Sequence, residues 1–272
     1  MMKRMGWILV LAVGLLAGCS SNGHGELEGE ALRVGVMPDY PPLVFREEGK
    51  VVGLERDFAE QLSQDLERPL SLHEYTQLSD LFAALKNNEI DIIMSGISIT
   101  PTRQKAFAFS LPYTTIGQMA MIRLDDAARL ATPGALFTGQ YRVGYKNGTT
   151  GEAFVKETMD VQTRGFNSNT EATQALVNDD IDAFIHDAPT VWNLANKREY
   201  PVKLLGLYKP LTKEQLAWVM RKNDSELKQQ VDTVLKSWVN NGFLMQTKTQ
   251  WIPVKILSGQ LFFVGRVSRV AT

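Results

Sequence analysis

The sequence predicts an α/β protein built from two related lobes, each a mostly parallel sheet flanked by helices. Three observations carry this. Strand-like and helix-like stretches alternate in βαβαβ order over residues 31–96, and the alternation restarts near residue 140. The segment "NNEIDIIMSG" (87–96) has a counterpart about ninety residues later in "NDDIDAFIHD" (178–187). Each reads as a helix end, a polar turn, Ile-Asp, then an apolar strand closing in small or polar residues. At 272 residues, 44% of them hydrophobic, the chain is long enough to bury two modest cores.

The elements follow in order. "ALRVGVM" (31–37) reads as a buried strand, and the prolines of "PDYPPL" (38–43) make the next stretch irregular. Leu54, Phe58, Leu62 and Leu66 recur every four residues on one helix face. "PLSLHEY" (69–75) is strand-like, and Ser79 is the expected cap of a helix carrying Leu81, Phe82 and Leu85. That helix leads into the strand "EIDIIMSG" (89–96). Thr100 and Pro101 form an N-cap and first helical residue, with Arg103 in the first turn.

In the second unit, "QYRVGYKNGTTGEAF" (140–154) reads as strand, glycine turn and helix, with Thr149 and Glu152 spaced as a capping box. "VQTRGF" (161–166) is a short strand, a helix covers 169–178, and "DIDAFIHD" (180–187) is a strand running to Asp187, just before the helix start Ala188-Pro189. "EQLAWVMRKND" (214–224) is a strand and turn. A helix over 225–240 turns Leu227, Val231, Val234, Leu235 and Trp238 inward. Residues 256–272 form a tail of no assignable pattern.

The N-terminus is a processing signal. Lys3 and Arg4 precede the apolar run "WILVLAVGLLA" (7–17), which is too short for a usual membrane span. It ends in "LAGC" (16–19), which resembles the lipobox of bacterial lipoproteins, with lipid carried by Cys19. Residues 1–18 are therefore a lipoprotein signal peptide, and the polar, Gly-rich 19–30 a flexible tether. The mature protein is expected in the periplasm or at the cell surface, lipid-anchored to a membrane. Ser20 and Ser21 bear on sorting between inner and outer membrane, which stays open. With 29 Lys+Arg against 30 Asp+Glu there is no electrostatic case for nucleic acid. Cys19 is the chain's single cysteine, and His24, His73 and His186 lie far apart, so neither a disulfide nor a metal or cofactor site is expected.

Ligands of open parallel α/β sheets bind beyond the carboxyl ends of the strands. Three such ends carry chemistry. At 95–103, the helix start at Thr100 and the Arg103 fork suit a carboxylate. At 147–152, "NGTTGE" adds hydroxyl and amide donors. At 186–190, Asp187 supplies a negative charge. Together they match the carboxylate and ammonium of a free amino acid. Taken singly, Arg103 has two candidate partners, a protein acid such as Asp91 or a bound anion, and Asp187 is equally readable as an N-cap. Tyr40, on the loop after the first strand, is a pocket wall or a core cover. His186 reads as packing, since no serine nucleophile or second base accompanies it.

The segments "LRVGVMPDYPPLVF", "GLERDFAEQLSQDL", "DLFAALKNNEIDIIMSGISITPTRQKAFAFSLPY", "RVGYKNGTTGE" and "DIDAFIHDAP" resemble the bacterial family 3 extracellular solute-binding proteins, the polar amino-acid receptors of ABC importers. The likeness runs from about 31 to 250, and Ser98, Thr100 and Arg103 form its most specific motif. It implies the type II periplasmic-binding-protein fold, with two crossing strands as hinge. Lobe 1 is then 31–122 with 212–255, and lobe 2 is 123–211. It implies that Arg103 clamps the ligand carboxylate with Ser98 and Thr150, that Asp187 and the Gly96 carbonyl take the ammonium, and that Tyr40 and Leu78 sandwich the side chain. Its implied partners are a small-molecule amino acid and an inner-membrane ABC permease, with the receptor a monomer. The family's receptors for basic amino acids carry an acid where Met37 stands, and Asp39 lies two residues on. Gly96 stands where some relatives have serine. Two other functions share the fold: a ligand-sensing module for a membrane signalling partner, and a cyclohexadienyl-dehydratase-like enzyme, for which Glu152 or His186 would have to act as acid or base.

Overall fold

A computed structural model describes residues 29–130, 133–207 and 210–257. The signal peptide, Cys19 with most of the tether, and all but two residues of the tail lie outside the described residues. In chain order, β1 (Leu32–Val36) is followed by a small antiparallel trio, β2 (Asp39–Tyr40), β3 (Val44–Glu47) and β4 (Lys50–Val52). Then come α1 (Leu54–Asp65), β5 (Leu70–Glu74), α2 (Leu78–Lys86), β6 (Ile92–Ile93), α3 (Pro101–Ala106) and β7 (Phe107–Phe109). Two connecting strands, β8 (Thr114–Ile116) and β9 (Gln118–Arg123), lead to α4 (Pro133–Phe137), β10 (Thr138–Lys146) and α5 (Thr150–Thr158). The second unit closes with β11 (Asp160–Phe166), α6 (Asn169–Val177), β12 (Ala183–Asp187), α7 (Ala188–Ala195) and β13 (Leu204–Leu207). The chain returns through β14 (Glu214–Leu216) and β15 (Val219–Arg221) to α8 (Ser225–Asn241), α9 (Phe243–Trp251) and α10 (Val254–Leu257).

The two sheets have the same plan. One runs β5-β1-β6-β15-β7 and the other β11-β10-β12-β9-β13. In each, the first three strands are parallel and the last two antiparallel to their neighbours. β8 and β14 pair antiparallel between the lobes and form the hinge. β9 belongs wholly to the second sheet, so the crossing falls near Gly117 rather than at 122/123 as expected. Gly117 is required there, because a Cβ would collide with the backbone carbonyl of Thr212 on the returning strand.

The repeated Ile-Asp has the same structural task in both lobes. The Arg33 N–H donates to Asp91 Oδ2 at 3.0 Å, and the Arg142 N–H to Asp182 Oδ2 at 2.8 Å. Each arginine also reaches the carbonyl of the turn residue, Asn88 or Asp179, at 2.6 Å. Both turn residues are left-handed, with φ of 61° and 64°. The repeat thus fixes where each helix-turn-strand unit docks on its first strand.

Burial pushes the Asp182 carboxyl up, but Arg142, through its side chain and backbone, and Arg129 outweigh it and hold the pKa at about 2. A depressed carboxylate contributes stability above its unfolded pKa of about 4, and that contribution is lost as pH falls. Asp182→Asn is expected to lower the thermal midpoint at neutral pH. It should also flatten its decline between about pH 4 and pH 2, which melting curves across that range check.

Lobe 1 is centred on α1. Leu54, Phe58 and Leu62 are fully buried, as their spacing predicts, and Phe58 stacks on Trp238 with ring centroids 5.5 Å apart. Leu227, Val231, Leu235 and Trp238 of α8 are buried as expected, with Val234 partly covered. No helix among the described residues is long and apolar enough to cross a membrane.

Several local expectations shift. The N-cap of α2 is Gln77, not Ser79, which sits inside the helix and donates to Asp80. The strand expected over 89–96 shortens to Ile92–Ile93, flanked by bonds from the Asp91 N–H to the Arg33 carbonyl and from the Met94 N–H to the Gly35 carbonyl, and the chain turns at Gly96, φ 65°. The single strand expected within 214–224 is two, β14 and β15, broken at Ala217-Trp218.

Candidate functional site

The cleft lies where the strand ends of both sheets face each other across the hinge. Met37, Tyr40, Leu78, Gly96, Ser98 and Arg103 line it from lobe 1; Lys146, Thr150, His186 and Asp187 line it from lobe 2. All seven residues expected to bind ligand (Tyr40, Leu78, Gly96, Ser98, Arg103, Thr150 and Asp187) fall on this wall. The cavity between them is about 40 Å³. A groove of about 560 Å³ between α1 and α9 is larger. Converging charge, not volume, distinguishes the cleft.

Arg103 is placed by its own helix start. Thr100 caps α3 by accepting from the Arg103 N–H at 3.2 Å, with Pro101 next in line, as the sequence indicates. The guanidinium donates to the carbonyl of Ser98 at 3.0 Å and, across the cleft, to that of Gly148 at 3.2 Å, and lies 5.6 Å from the Phe82 ring centroid. Burial lowers its pKa, and the Glu214 charge draws it back up. Asp91, the alternative partner, is taken by Arg33, Arg68 and Arg221. These two bonds leave donors of the five-donor fork for an anion.

Asp187 is buried and makes no side-chain cap to α7. Its carboxylate accepts from the Tyr40 hydroxyl and from Gln118 Nε2, the latter at 2.5 Å. Burial, then the nearby Glu214 charge, raise its pKa well above the ordinary carboxylate value. Glu214 goes the other way. Burial raises it, but Thr212, Thr150, Gln118 and Ser98 hydrogen-bond its carboxylate and bring it below the usual value. The Ser98 hydroxyl donates at 2.8 Å and Gln118 Nε2 at 2.9 Å. One amide therefore bridges two carboxylates, one kept ionised and one biased to its neutral form.

Gly96 is glycine for two reasons. Its φ is left-handed, and a Cβ would strike the Tyr40 ring, which leaves no room for the serine of some relatives. Its N–H donates to the buried Glu55 carboxylate at 2.7 Å. Tyr40 packs edge-on to His186 with centroids 5.3 Å apart. For His186, burial first, then the Lys146 charge, lower its pKa to about 3, and its Nδ1 accepts from the Asp187 N–H at 2.7 Å. Glu152 closes the capping turn, accepting from the Gly148 N–H at 2.7 Å and from Lys156 at 2.6 Å. Among the described residues no cluster of three or more His, Cys, Asp or Glu is arranged for a metal ion.

Gln118, Glu214 and Lys146 were not foreseen as site residues. Lys146 had a signal, since it immediately precedes "NGTTGE" at a strand's carboxyl end. Gln118 and Glu214 had none, because the hinge brings them in from distant sequence.

Two hinged α/β lobes that bring a set of charged groups together between them define a clamp-type solute-binding protein. The model of the bacterial extracellular solute-binding proteins, family 3, matches residues 32–254, and the chain belongs to that family. It is 27% identical over 251 residues to the L-cystine-binding protein TcyJ of Escherichia coli strain K12, covering 89% of this chain and 92% of that one. It is 26% identical to the arginine-binding extracellular protein ArtP of Bacillus subtilis strain 168, covering 90% of this chain and 97% of that one. Among solved structures it resembles the ancestral amino acid-binding protein AncCDT-1, a precursor of cyclohexadienyl dehydratase. That match has 31% identity and a TM-score of 0.74, covering 82% of this chain and 95% of that one. The family is extracytoplasmic, and the fold is the type II fold that the resemblance implies.

Proposed function

We propose that the protein captures a free L-amino acid in the interlobe cleft and hands it to an ABC importer, as a monomer tethered to a membrane by lipid on Cys19. The observation that carries this is the placement of Arg103, in the first turn of α3, and Asp187, at the end of β12, on opposite lobes of one cavity. Arg103 takes the α-carboxylate, and Ser98 and Thr150, whose hydroxyls are held by Glu214 in the ligand-free protein, turn to it on binding. Asp187 and the Gly96 carbonyl take the ammonium, and Tyr40 and Leu78 flank the side chain. A few charge-assisted bonds of roughly 1.5–3 kcal/mol each suffice for micromolar affinity, about −8 kcal/mol, after association costs.

Binding rather than turnover fits the polar inventory. His186 is neutral and already accepts a backbone hydrogen bond, and Glu152 is committed to its capping turn. Thermal unfolding against the twenty amino acids, with prephenate and arogenate turnover alongside, tests the reading. Ligand at about a hundred times its dissociation constant adds roughly 2.7 kcal/mol, several degrees for a chain of this size. No shift with any amino acid, or turnover of either acid, contradicts it.

The raised pKa of Asp187 has a measurable sign. The ligand ammonium pairs with the ionised form, so binding expels a proton from a carboxyl that burial and Glu214 keep protonated to unusually high pH. Affinity is therefore expected to fall as pH drops, from a higher pH than an ordinary carboxylate would give. Calorimetry in buffers of different ionisation enthalpy should detect proton release. A pH-independent affinity with no released proton removes Asp187 from its role.

A further inference from the structure

The cleft contains one charge that neither backbone group of an amino acid requires. Lys146 ends β10, and its buried side chain lines the cavity beside Met37, Tyr40 and His186. Its ammonium donates to Asp39 Oδ2 at 2.7 Å, one of three donors it owns. The two partners are not equally placed. The lysine side chain is 4% exposed and the aspartate 31%, so the buried member facing the ligand is the cation.

Asp39 is further committed to lobe 2. Its Oδ2 also accepts from the Asn169 N–H at 2.9 Å, and its carbonyl from Asn169 Nδ2 at 2.5 Å. It is thus spent as the acid that would replace the one missing at Met37. The other carboxylates of the cleft, Asp187 and Glu214, are held by Gln118 at the backbone-clamping end. Beside Lys146 on the next strand, His186 is neutral and offers no negative charge.

Lys146 lines the same cavity as Arg103 and Asp187, so it borders the space that the side chain of an amino acid clamped at those two residues would fill. A cationic end would meet a buried ammonium with no uncommitted carboxylate in reach. An acceptor oxygen would meet the remaining Lys146 donors in a low-dielectric wall, where such a bond is strong.

We propose that Lys146 is the specificity-determining residue of the cleft, selecting L-amino acids whose side chain ends in an oxygen acceptor, a carboxylate or an amide carbonyl, and rejecting cationic ones. This rests on the amino-acid-receptor reading. It separates the chain from relatives such as the arginine-binding ArtP, and it includes ligands with a second carboxylate, such as cystine. The Asp39–Lys146 pair works in both directions. Asp39 holds the ammonium at the wall, and Lys146 keeps Asp39 from serving a cationic ligand.

The test is calorimetry of the mature protein with L-glutamate, L-glutamine, L-cystine, L-arginine, L-lysine and L-leucine, on wild type, Lys146→Met and Asp39→Asn. Wild type should bind at least one of the first three about a hundredfold more tightly than arginine or lysine. Lys146→Met should lose roughly tenfold to hundredfold for that ligand. It should gain affinity for arginine and lysine, because Asp39 is then unpaired beside the pocket. Asp39→Asn should keep the preference and widen it toward glutamate. A wild type that prefers arginine, lysine or leucine overturns the proposal, as does a Lys146→Met variant with an unchanged ligand profile. A wild type that binds no amino acid at all overturns the receptor reading itself, an outcome distinct from binding with the wrong preference.

Discussion

Arg103→Ala is expected to cost roughly 2–5 kcal/mol of ligand affinity, the usual loss when one partner of a buried charge pair is truncated, while the protein stays folded. The reasoning is geometric. The guanidinium is held by the Ser98 carbonyl on one lobe and the Gly148 carbonyl on the other, with the Phe82 ring beside it. Among the described residues no acid side chain hydrogen-bonds it, and the Glu214 charge acts on it without a hydrogen bond. Removing it leaves no buried carboxylate stranded in the ligand-free protein, so the melting temperature should change little. The ligand carboxylate, by contrast, loses its main counter-charge. Arg103→Lys should fall between, since a point charge replaces a planar fork. Calorimetric affinities and melting curves for the three proteins check this. An alanine variant that binds like wild type would mean that the carboxylate is held elsewhere.

The second large effect is on stability. Glu55→Ala is expected to destabilise the protein by roughly 3–5 kcal/mol, a drop on the order of 10 °C in melting temperature. The Glu55 side chain is fully buried and accepts three hydrogen bonds: from the Gly96 N–H at 2.7 Å, the Tyr113 hydroxyl at 2.6 Å and the Trp218 indole at 2.8 Å. Alanine would strand all three donors inside an aromatic cluster that includes Phe58, Tyr113 and Trp218. The same carboxylate joins α1 to the ligand loop at Gly96, to the residue before the hinge strand β8, and to the break after β14. Ligand affinity should therefore drop along with stability. Glu55→Gln, which keeps the shape and one acceptor oxygen, should lose less of both. Melting and Trp fluorescence report the two effects, and an alanine variant melting within about 2 °C of wild type would contradict the account.

Much of this was legible because its causes are local. Thr100-Pro101 sets α3, and hence Arg103, within four residues. Thr149 and Glu152 cap α5 within a single turn. The Ile-Asp repeat announced two like lobes because Asp91 and Asp182 each latch a turn to a first strand within their own unit. The strand-end rule then gathered both proposed clamps, Arg103 and Asp187, into one cleft.

What escaped the sequence is non-local. Glu214 belongs to the site only because β14 pairs with β8 across the hinge, and Gln118 only because the chain changes lobes at Gly117. That same change displaced the expected lobe boundary. The 214–224 strand breaks at Ala217-Trp218 because its partners change there, from β8 of the hinge to β6 and β7 of the first sheet, and the Trp218 indole bonds Glu55, 163 positions earlier. Asp39 stands two residues from the position where basic-ligand receptors carry an acid, and the partners that occupy it, Lys146 and Asn169, lie more than a hundred residues away.

The central claim is that both backbone groups of a free amino acid are clamped, the carboxylate from lobe 1 and the ammonium from lobe 2. It is tested most directly by calorimetry with the amino acid that stabilises the protein most, alongside its two analogues lacking either the α-carboxylate or the α-amine. Both analogues should lose at least about 2 kcal/mol, roughly thirtyfold in affinity. Arg103→Ala should erase the penalty for the missing carboxylate, and Asp187→Asn the penalty for the missing amine. An analogue that binds the wild-type protein as tightly as the intact amino acid would contradict the claim.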